Sequence, residues 1–215
     1  MTTNLKINSF KNLSLGKNIN ILHDIHLDKI NISIYQRKIQ HLEEEIMYFL
    51  NQDIELKLQG TSENIIERFK DHLLNERFSH SHLLSDFSTL LKFFEVTSKA
   101  THFRVLFSTI KTDMCSRFHT DVNELRMLCT YYGPATLWLP EAAENRTAYH
   151  LGENNKEIIQ DPKLIQQANT GDVLILKGAL YPNSKAAIHR SPSIRKKEGK
   201  RLLLRIDMNN PLKPL

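Results

Sequence analysis

The tetrapeptide Phe118-His119-Thr120-Asp121 places two metal-capable side chains at i and i+2, beside a run of β-favouring residues. In an extended backbone the period of two puts both on one face, within reach of a single cation. A pair does not close a site, and the best third donor is His189, near the end of another β-favouring run. Two imidazoles and one carboxylate on one side of an ion form the facial arrangement of non-haem iron oxygenases, which leaves positions open for substrate and oxygen. The competing account is a structural, hydrogen-bonded His and Asp, since a chain with ten histidines contains some His-x-Asp by chance.

Two arginines follow in a further run. Arg201, Leu203 and Arg205 share one face of the expected last strand, and Leu202, Leu204 and Ile206 share the other. Guanidinium groups are costly to bury unless they meet carboxylates, and a barrel open at one end lets them meet an acidic ligand. That suits a dicarboxylate such as 2-oxoglutarate, one Arg gripping the far carboxylate while the near carboxylate and keto oxygen bind metal. The same arginines could instead pair with Asp207 or Glu198. His150 is an alternative third imidazole, and Cys115, four residues before His119, is a competing soft ligand. A thiolate in the set would shift preference from iron towards zinc. Cys129 is expected to pack as a small hydrophobe.

The elements that must position these residues are strands. Thr101 to Ile110 alternates as a partly buried strand, and Leu125 to Tyr132 is another, ended by Gly133-Pro134. Ala135 to Leu139, Val173 to Leu176 after a Gly171-Asp172 turn, Ala186 to His189 and Leu202 to Ile206 complete the set. Short strands joined by turns, with few helical crossovers, predict an α+β fold whose core is a small jelly roll. The polar stretch from Glu141 to Thr170 is an excursion that could border a site.

The first hundred residues carry no evident chemistry. Met1 to about Asp28 reads as an irregular arm with one short strand, and His23 and His26 around Asp24 read as surface residues. Helices are expected from about Gln36 (Ile39, Leu42, Ile46, Phe49, with Glu43, Glu44 and Glu45 facing water), from Ser62 (Ile65, Ile66, Phe69, Leu73) and from His82 to Val96. Ser62 is placed to cap the second of these. His72, His80 and His82 take surface or capping roles. The expected organisation is a supporting arm and helices over residues 1–100, part of the same domain as a core over residues 101–215.

At 215 residues, 40% hydrophobic and 25% charged, the chain has the composition of a folded soluble protein. No stretch is long and apolar enough to cross a bilayer or to act as a secretory signal, so a cytoplasmic location is the expectation. Two cysteines leave room for at most one disulfide. The net charge of +5 gathers from Lys185 to Arg205, which raises nucleic acid as a partner. No recognised nucleic-acid motif or stacking platform accompanies it, and a solvated basic loop is the simpler account. No phosphate-binding Gly loop and no Gly-x-Ser-x-Gly nucleophile elbow occurs.

Cys115 to Asp121, Leu125 to Pro134, Trp138-Leu139-Pro140, Ile188 to Pro192 and Arg201 to Asp207 together resemble an uncharacterised bacterial family, domain of unknown function 1826. The same elements look like the 2-oxoglutarate and iron(II) oxygenase superfamily, with its double-stranded β-helix (jelly-roll, cupin-like) core. The resemblance implies His119, Asp121 and His189 as ligands to Fe(II), and Arg201, with Arg205 next, as the 2-oxoglutarate anchor. It implies an iron-dependent dioxygenase acting on a small molecule or other unidentified substrate, with Arg126, Tyr131, Tyr132 and Trp138 as candidates for the pocket wall. A zinc-binding, cupin-like protein of metal handling is the alternative, and an anion or nucleic-acid binding module a third.

Overall fold

The computed structural model describes residues 10–73, 81–194 and 199–209. Among these residues ten strands form two sheets. The larger has the order β1 (Leu13–Gly16), β2 (Ile32–Tyr35), β8 (Val173–Lys177), β5 (Leu125–Tyr132), β10 (Arg201–Met208), β4 (Phe103–Ile110), β3 (Glu55–Gly60). The smaller has the order β7 (Gln166–Gln167), β6 (Leu137–Trp138), β9 (His189–Arg190). Among the described residues only β1 and β2 pair in parallel, and the other strand pairs are antiparallel. This is the α+β architecture of a double-stranded β-helix, a large sheet and a small one with helices on the outer face of the large one.

Alternation along the central strands decides what each face meets. Leu125, Met127, Cys129 and Tyr131 of β5, Val173 and Ile175 of β8, and Leu202, Leu204 and Ile206 of β10 bury into the main core. The helices α1 (Glu43–Asn51), α2 (Ser62–Leu73) and α3 (His82–Ser98) cover that face with Ile46, Phe49, Ile65, Phe69, Phe87, Leu91 and Phe94. Phe69 and Phe87 stack with centroids 3.9 Å apart and lock α2 onto α3. The opposite parity, Leu128, Leu174, Leu176 and Leu203, packs with Ala135, Trp138 and Ala187 towards the small sheet. Arg126, Arg201 and Arg205 share this second parity, so the pattern that buries three apolar residues of β10 among the helices also delivers its arginines between the sheets.

Several local expectations change. The one short strand expected in the arm is β1, but the region after the arm adds β2 and β3 to the large sheet as well as helices. Leu56 and Leu58 of β3 alternate with exposed residues, a period-two signal that is plain once the strand is seen. Glu45 does not face water: it is buried and accepts hydrogen bonds from the His82 and Leu83 amides (2.8 and 3.2 Å) at the start of α3, with the Ser81 hydroxyl on the same carboxylate. A carboxylate on free amides of a helix N-terminus is favoured by charge and by hydrogen bonding. Ser62 turns inward and donates to Glu95 at 2.8 Å, while the Thr61 hydroxyl accepts from the Asn64 amide at 3.4 Å.

His23 and His26 are exposed, as expected, and both make tertiary hydrogen bonds. His26 spans the Tyr181 hydroxyl and the Thr97 carbonyl (both 2.8 Å), His23 meets the Thr97 hydroxyl, and Asp24 accepts from Ser14. His80, Glu198 and the basic run 195–197 lie outside the described residues. Within the remaining basic stretch, Lys185 pairs with Glu141, Lys200 with Asp53, and Arg201 is buried. Cys115 and Cys129 are both free thiols. No helix among the described residues is long and apolar enough to cross a membrane.

Candidate metal centre

His119 lies in an extended segment just before β5 and forms an isolated antiparallel bridge with His189 of β9. The two residues exchange both backbone hydrogen bonds, each 2.9 Å. Directly opposed residues in such a pair project their side chains to the same side, and the two imidazole centroids are 4.7 Å apart. Asp121 follows two residues after His119 and joins them: one donor atom from each of His119, Asp121 and His189 lies within 4.8 Å of the others.

The segment carrying His119 and Asp121 has little regular structure of its own, and its neighbours hold it. Phe118 is fully buried, its amide donates to Asn155 Oδ1 at 2.8 Å, and the Thr120 amide donates to the Tyr149 hydroxyl at 3.1 Å. Asn155 opens α5 (Asn155–Ile158) and Tyr149 lies in α4 (Arg146–His150), so the polar excursion after Glu141 braces the metal-capable segment. From the other side, the amides of Gly178, Ala179 and Leu180 donate to the carbonyls of Glu124, Asp121 and Asn123. A Cβ at residue 178 would stand 2.2 Å from the Asn123 carbonyl oxygen, so only glycine permits this approach.

Hydrogen bonding sets the tautomers. His119 Nδ1 is 3.0 Å from the Arg117 carbonyl, and His189 Nδ1 is 3.1 Å from the Ala187 carbonyl. A carbonyl only accepts, so each Nδ1 carries a proton and each Nε2 of a neutral ring presents a lone pair. Burial pushes the His189 pKa down to about 4; Asp121 opposes the shift and His119 adds to it. His189 is therefore neutral at pH 7. Its Nε2 is 3.3 Å from Asp121 Oδ2, and His119 Nε2 is 3.7 Å from Asp121 Oδ1.

Asp121 is buried, and its Oδ2 has no hydrogen-bond partner. Leaving a buried carboxylate oxygen without a donor costs on the order of 1–3 kcal/mol or more. Here that oxygen faces the lone pair of His189 instead of an N–H, which removes the structural His–Asp hydrogen bond as an account of the pair. Three converging lone pairs repel each other until a cation stands between them. Two nitrogens and a carboxylate oxygen, each ring fixed through its other nitrogen, are a donor set that fits a divalent transition metal and match the 2-His-1-carboxylate motif.

The other oxygen of Asp121 is held by Arg126, whose Nε also meets Asp207 Oδ1 at 2.5 Å. Asn123 Nδ2 donates to the same Asp207 oxygen at 3.0 Å. Arg126 thus fixes Asp121 with one oxygen engaged and the other free, an arrangement for a carboxylate that gives one oxygen to an ion.

Arg201, Arg205, Arg126 and Arg190 line one cavity of about 50 Å³ with His119 and His189. Arg201 is buried and donates to the hydroxyls of Thr130 (3.0 Å), Thr136 (3.2 Å) and Ser191 (3.3 Å), while its Nε donates to nothing. Among the described residues it has no carboxylate partner, and burial alone pulls its pKa down to about 10. Arg205 is more open and lies beside Asp207, Nε to Oδ2 3.1 Å. Of the two, Arg201 is the buried cation lacking a counter-charge.

The remaining sequence candidates fall elsewhere. Tyr131 turns to the main core and donates to Asp86 at 2.6 Å, Tyr132 is exposed on a separate cleft with Arg37 and Met47, and Trp138 is buried against Phe10. None of the three lines the cavity at the triad; for Tyr131 the reason is parity, since the face that brings Arg126 inward sends Tyr131 outward. His150, at the exposed end of α4, is not one of the converging donors. Cys115 lines the cavity but is not one of them either. Cys129 is buried as expected and lies beside the Arg37 guanidinium. Residues the sequence reading did not place at the site are Thr130, Thr136, Ser191, Arg190 and Asp207 as the anchor of Arg126. Thr130 and Asp207 were accessible through parity, each sharing its strand face with an arginine already singled out.

Among solved structures, the chain is similar to dioxygenase for auxin oxidation 1 from Arabidopsis thaliana in complex with 2-oxoglutarate: 9% identity, 86% of this chain and 85% of that one covered, TM-score 0.49. It is also similar to a Pseudomonas putida prolyl-4-hydroxylase (8% identity, 88% and 97% covered, TM-score 0.44) and to a full-length Neurospora crassa protein in complex with α-ketoglutarate (10%, 85% and 75%, TM-score 0.42). The site's own geometry, and not these likenesses, carries the chemistry. No curated protein matches the chain. Residues 16–207 match the family model described as protein of unknown function (DUF1826), and the chain belongs to that family.

Proposed function

We propose that this protein is an iron(II)- and 2-oxoglutarate-dependent oxygenase. The observation that carries the reading is a juxtaposition: His119 and His189, which converge with the orphaned oxygen of Asp121 behind them, line one cavity with Arg201, a buried arginine with no acid of its own among the described residues. The triad alone would also suit a catalytic zinc. Arg201 favours the oxygenase, because a dicarboxylate that reaches a metal at one end can neutralise a guanidinium at the other.

His119, His189 and Asp121 would hold the metal, and Arg126 would keep Asp121 oriented and partly neutralised. Arg201 would grip the far carboxylate of 2-oxoglutarate, with Thr130, Thr136 and Ser191 fixing the plane of its guanidinium. Iron bound there supplies the redox chemistry by which 2-oxoglutarate and dioxygen become succinate and carbon dioxide while a second substrate is oxidised. The leucines around the cavity, Leu128 and Leu203, exclude water and strengthen each charge interaction within it. Two free thiols, one exposed, suit a reducing compartment, and we place the protein in the cytoplasm.

Iron-loaded protein given isotopically labelled 2-oxoglutarate and oxygen should form labelled succinate, slowly, without an added second substrate. Folded protein that binds iron and 2-oxoglutarate yet forms no succinate would contradict the reading. Stoichiometric zinc that cannot be exchanged for iron would favour the zinc alternative.

A further inference from the structure

We propose that the second substrate is anionic, presenting a carboxylate or phosphate to Arg190 and Arg205; the proposal rests on the oxygenase reading of this cavity. Four guanidinium groups line the cavity together with the two metal-capable histidines, and no carboxylate is among its lining residues. The carboxylates within ion-pair distance of any of the four, among the described residues, are Asp121 and Asp207. Both engage Arg126, and Asp121 would give its free oxygen to the metal.

The proposed cosubstrate does not exhaust this positive charge. Its two carboxylates would go to the metal and to Arg201. Arg190 and Arg205 remain, and neither is placed as a solvated surface arginine would be. The Arg190 guanidinium lies over the Phe118 ring at 5.0 Å, its Nη1 reaches the Ser116 carbonyl at a long 3.4 Å, and its buried Nε donates to nothing. Asp113 attracts it from outside the cavity lining. Arg205 Nε is near Asp207 Oδ2, but the atom is buried and makes no hydrogen bond.

Two half-buried guanidiniums with unused donors beside a metal site are a fork for an oxyanion, and a neutral or cationic substrate would leave them unsatisfied. Ser191, which already contacts Arg201, lines the cavity next to Arg190 in sequence and adds a hydroxyl to the same wall.

The test uses zinc- and 2-oxoglutarate-loaded full-length protein titrated with propionate, ethylphosphonate and propionamide, followed by ligand line broadening in NMR. The three probes share an ethyl tail and differ in the head. At least one anion should bind ten times more tightly than propionamide, and the tighter of the two identifies carboxylate or phosphate as the head. Arg190→Met and Arg205→Met should each weaken that anion fivefold or more, with 2-oxoglutarate affinity within twofold of wild type and thermal midpoints unchanged. Equal binding of propionamide, or anion binding that survives both substitutions, overturns the proposal. If wild type fails to bind 2-oxoglutarate, the oxygenase reading falls separately. The same titration of zinc-only protein then decides the anion site by the same two criteria.

Discussion

Replacing Arg201 with Met separates a ligand-binding arginine from a structural one. The side chain is 2% exposed, and its hydrogen bonds go to three neutral hydroxyls at 3.0–3.3 Å. A pKa pulled from 12.5 to about 10 by burial corresponds to a penalty on the charged form of about 3 kcal/mol. Methionine removes that penalty and fills much of the same volume. It forfeits three hydrogen bonds of about 1 kcal/mol each. These nearly cancel, so the metal-free variant should melt within a few degrees of wild type. Binding of 2-oxoglutarate should behave otherwise, because truncating one partner of a buried charge pair costs about 2–5 kcal/mol, a loss of roughly 30-fold to several thousandfold. Calorimetric titration of zinc-loaded protein measures the second quantity, and thermal denaturation without ligand the first. A variant that unfolds, or one that melts far below wild type while still binding 2-oxoglutarate normally, would refute the assignment.

Other consequences follow from the same geometry. Asp207→Asn removes the charge that holds Arg126 and should weaken metal binding by about 10- to 100-fold without loss of fold, as read by competition with a chromogenic chelator. Gly178→Ala sets a Cβ against the Asn123 backbone, which should lower stability by about 1–3 kcal/mol and displace Asp121, so that denaturant midpoint and metal affinity fall together. Cys129, its thiol pushed up to about 11 by burial, gives a pH signature. The native state holds its proton where the unfolded chain, with a thiol near 9, has lost it. Stability from this group is full below pH 9 and is lost as pH rises through 11, by about 3 kcal/mol in total, and Cys129→Ala should flatten that part of the alkaline denaturation profile.

The metal-capable set was legible because each member carries its own positional signal. His119 and Asp121 are two apart in an extended segment, and His189 ends a short apolar run; the shared face of Arg201 and Arg205 reads from the leucines they alternate with. Leu125 to Tyr132 matches β5 residue for residue, since a β-favouring run closed by Gly133-Pro134 has few other solutions. What failed to read was what tertiary context decides. Glu45 looks like one charge among three on a solvated helix face, and only the arrival of α3 makes it a cap. Strand β2 is four residues long and lies between β1 and the distant β8 in the sheet, so local pattern says little about it. Tyr131, Tyr132 and Trp138 have the chemistry of a pocket wall, but the face of β5 that meets the helices is set by Leu125, Met127 and Cys129, and Tyr131 shares it. Parity was the available signal, and it needed one fixed point, Arg126 against Asp121, to be given a sign.

The proposed function requires that His119, Asp121 and His189 hold iron beside an Arg201 that holds 2-oxoglutarate. Anaerobic titration of the protein with iron(II) and then 2-oxoglutarate tests it most directly, through the weak visible charge-transfer band of chelated cosubstrate. Wild type should develop the band at one equivalent of iron, Asp121→Ala should show none, and Arg201→Met should need at least about thirtyfold more 2-oxoglutarate to reach it. A band that persists in Asp121→Ala, or its absence from folded, iron-loaded wild type, would rule out this metal site.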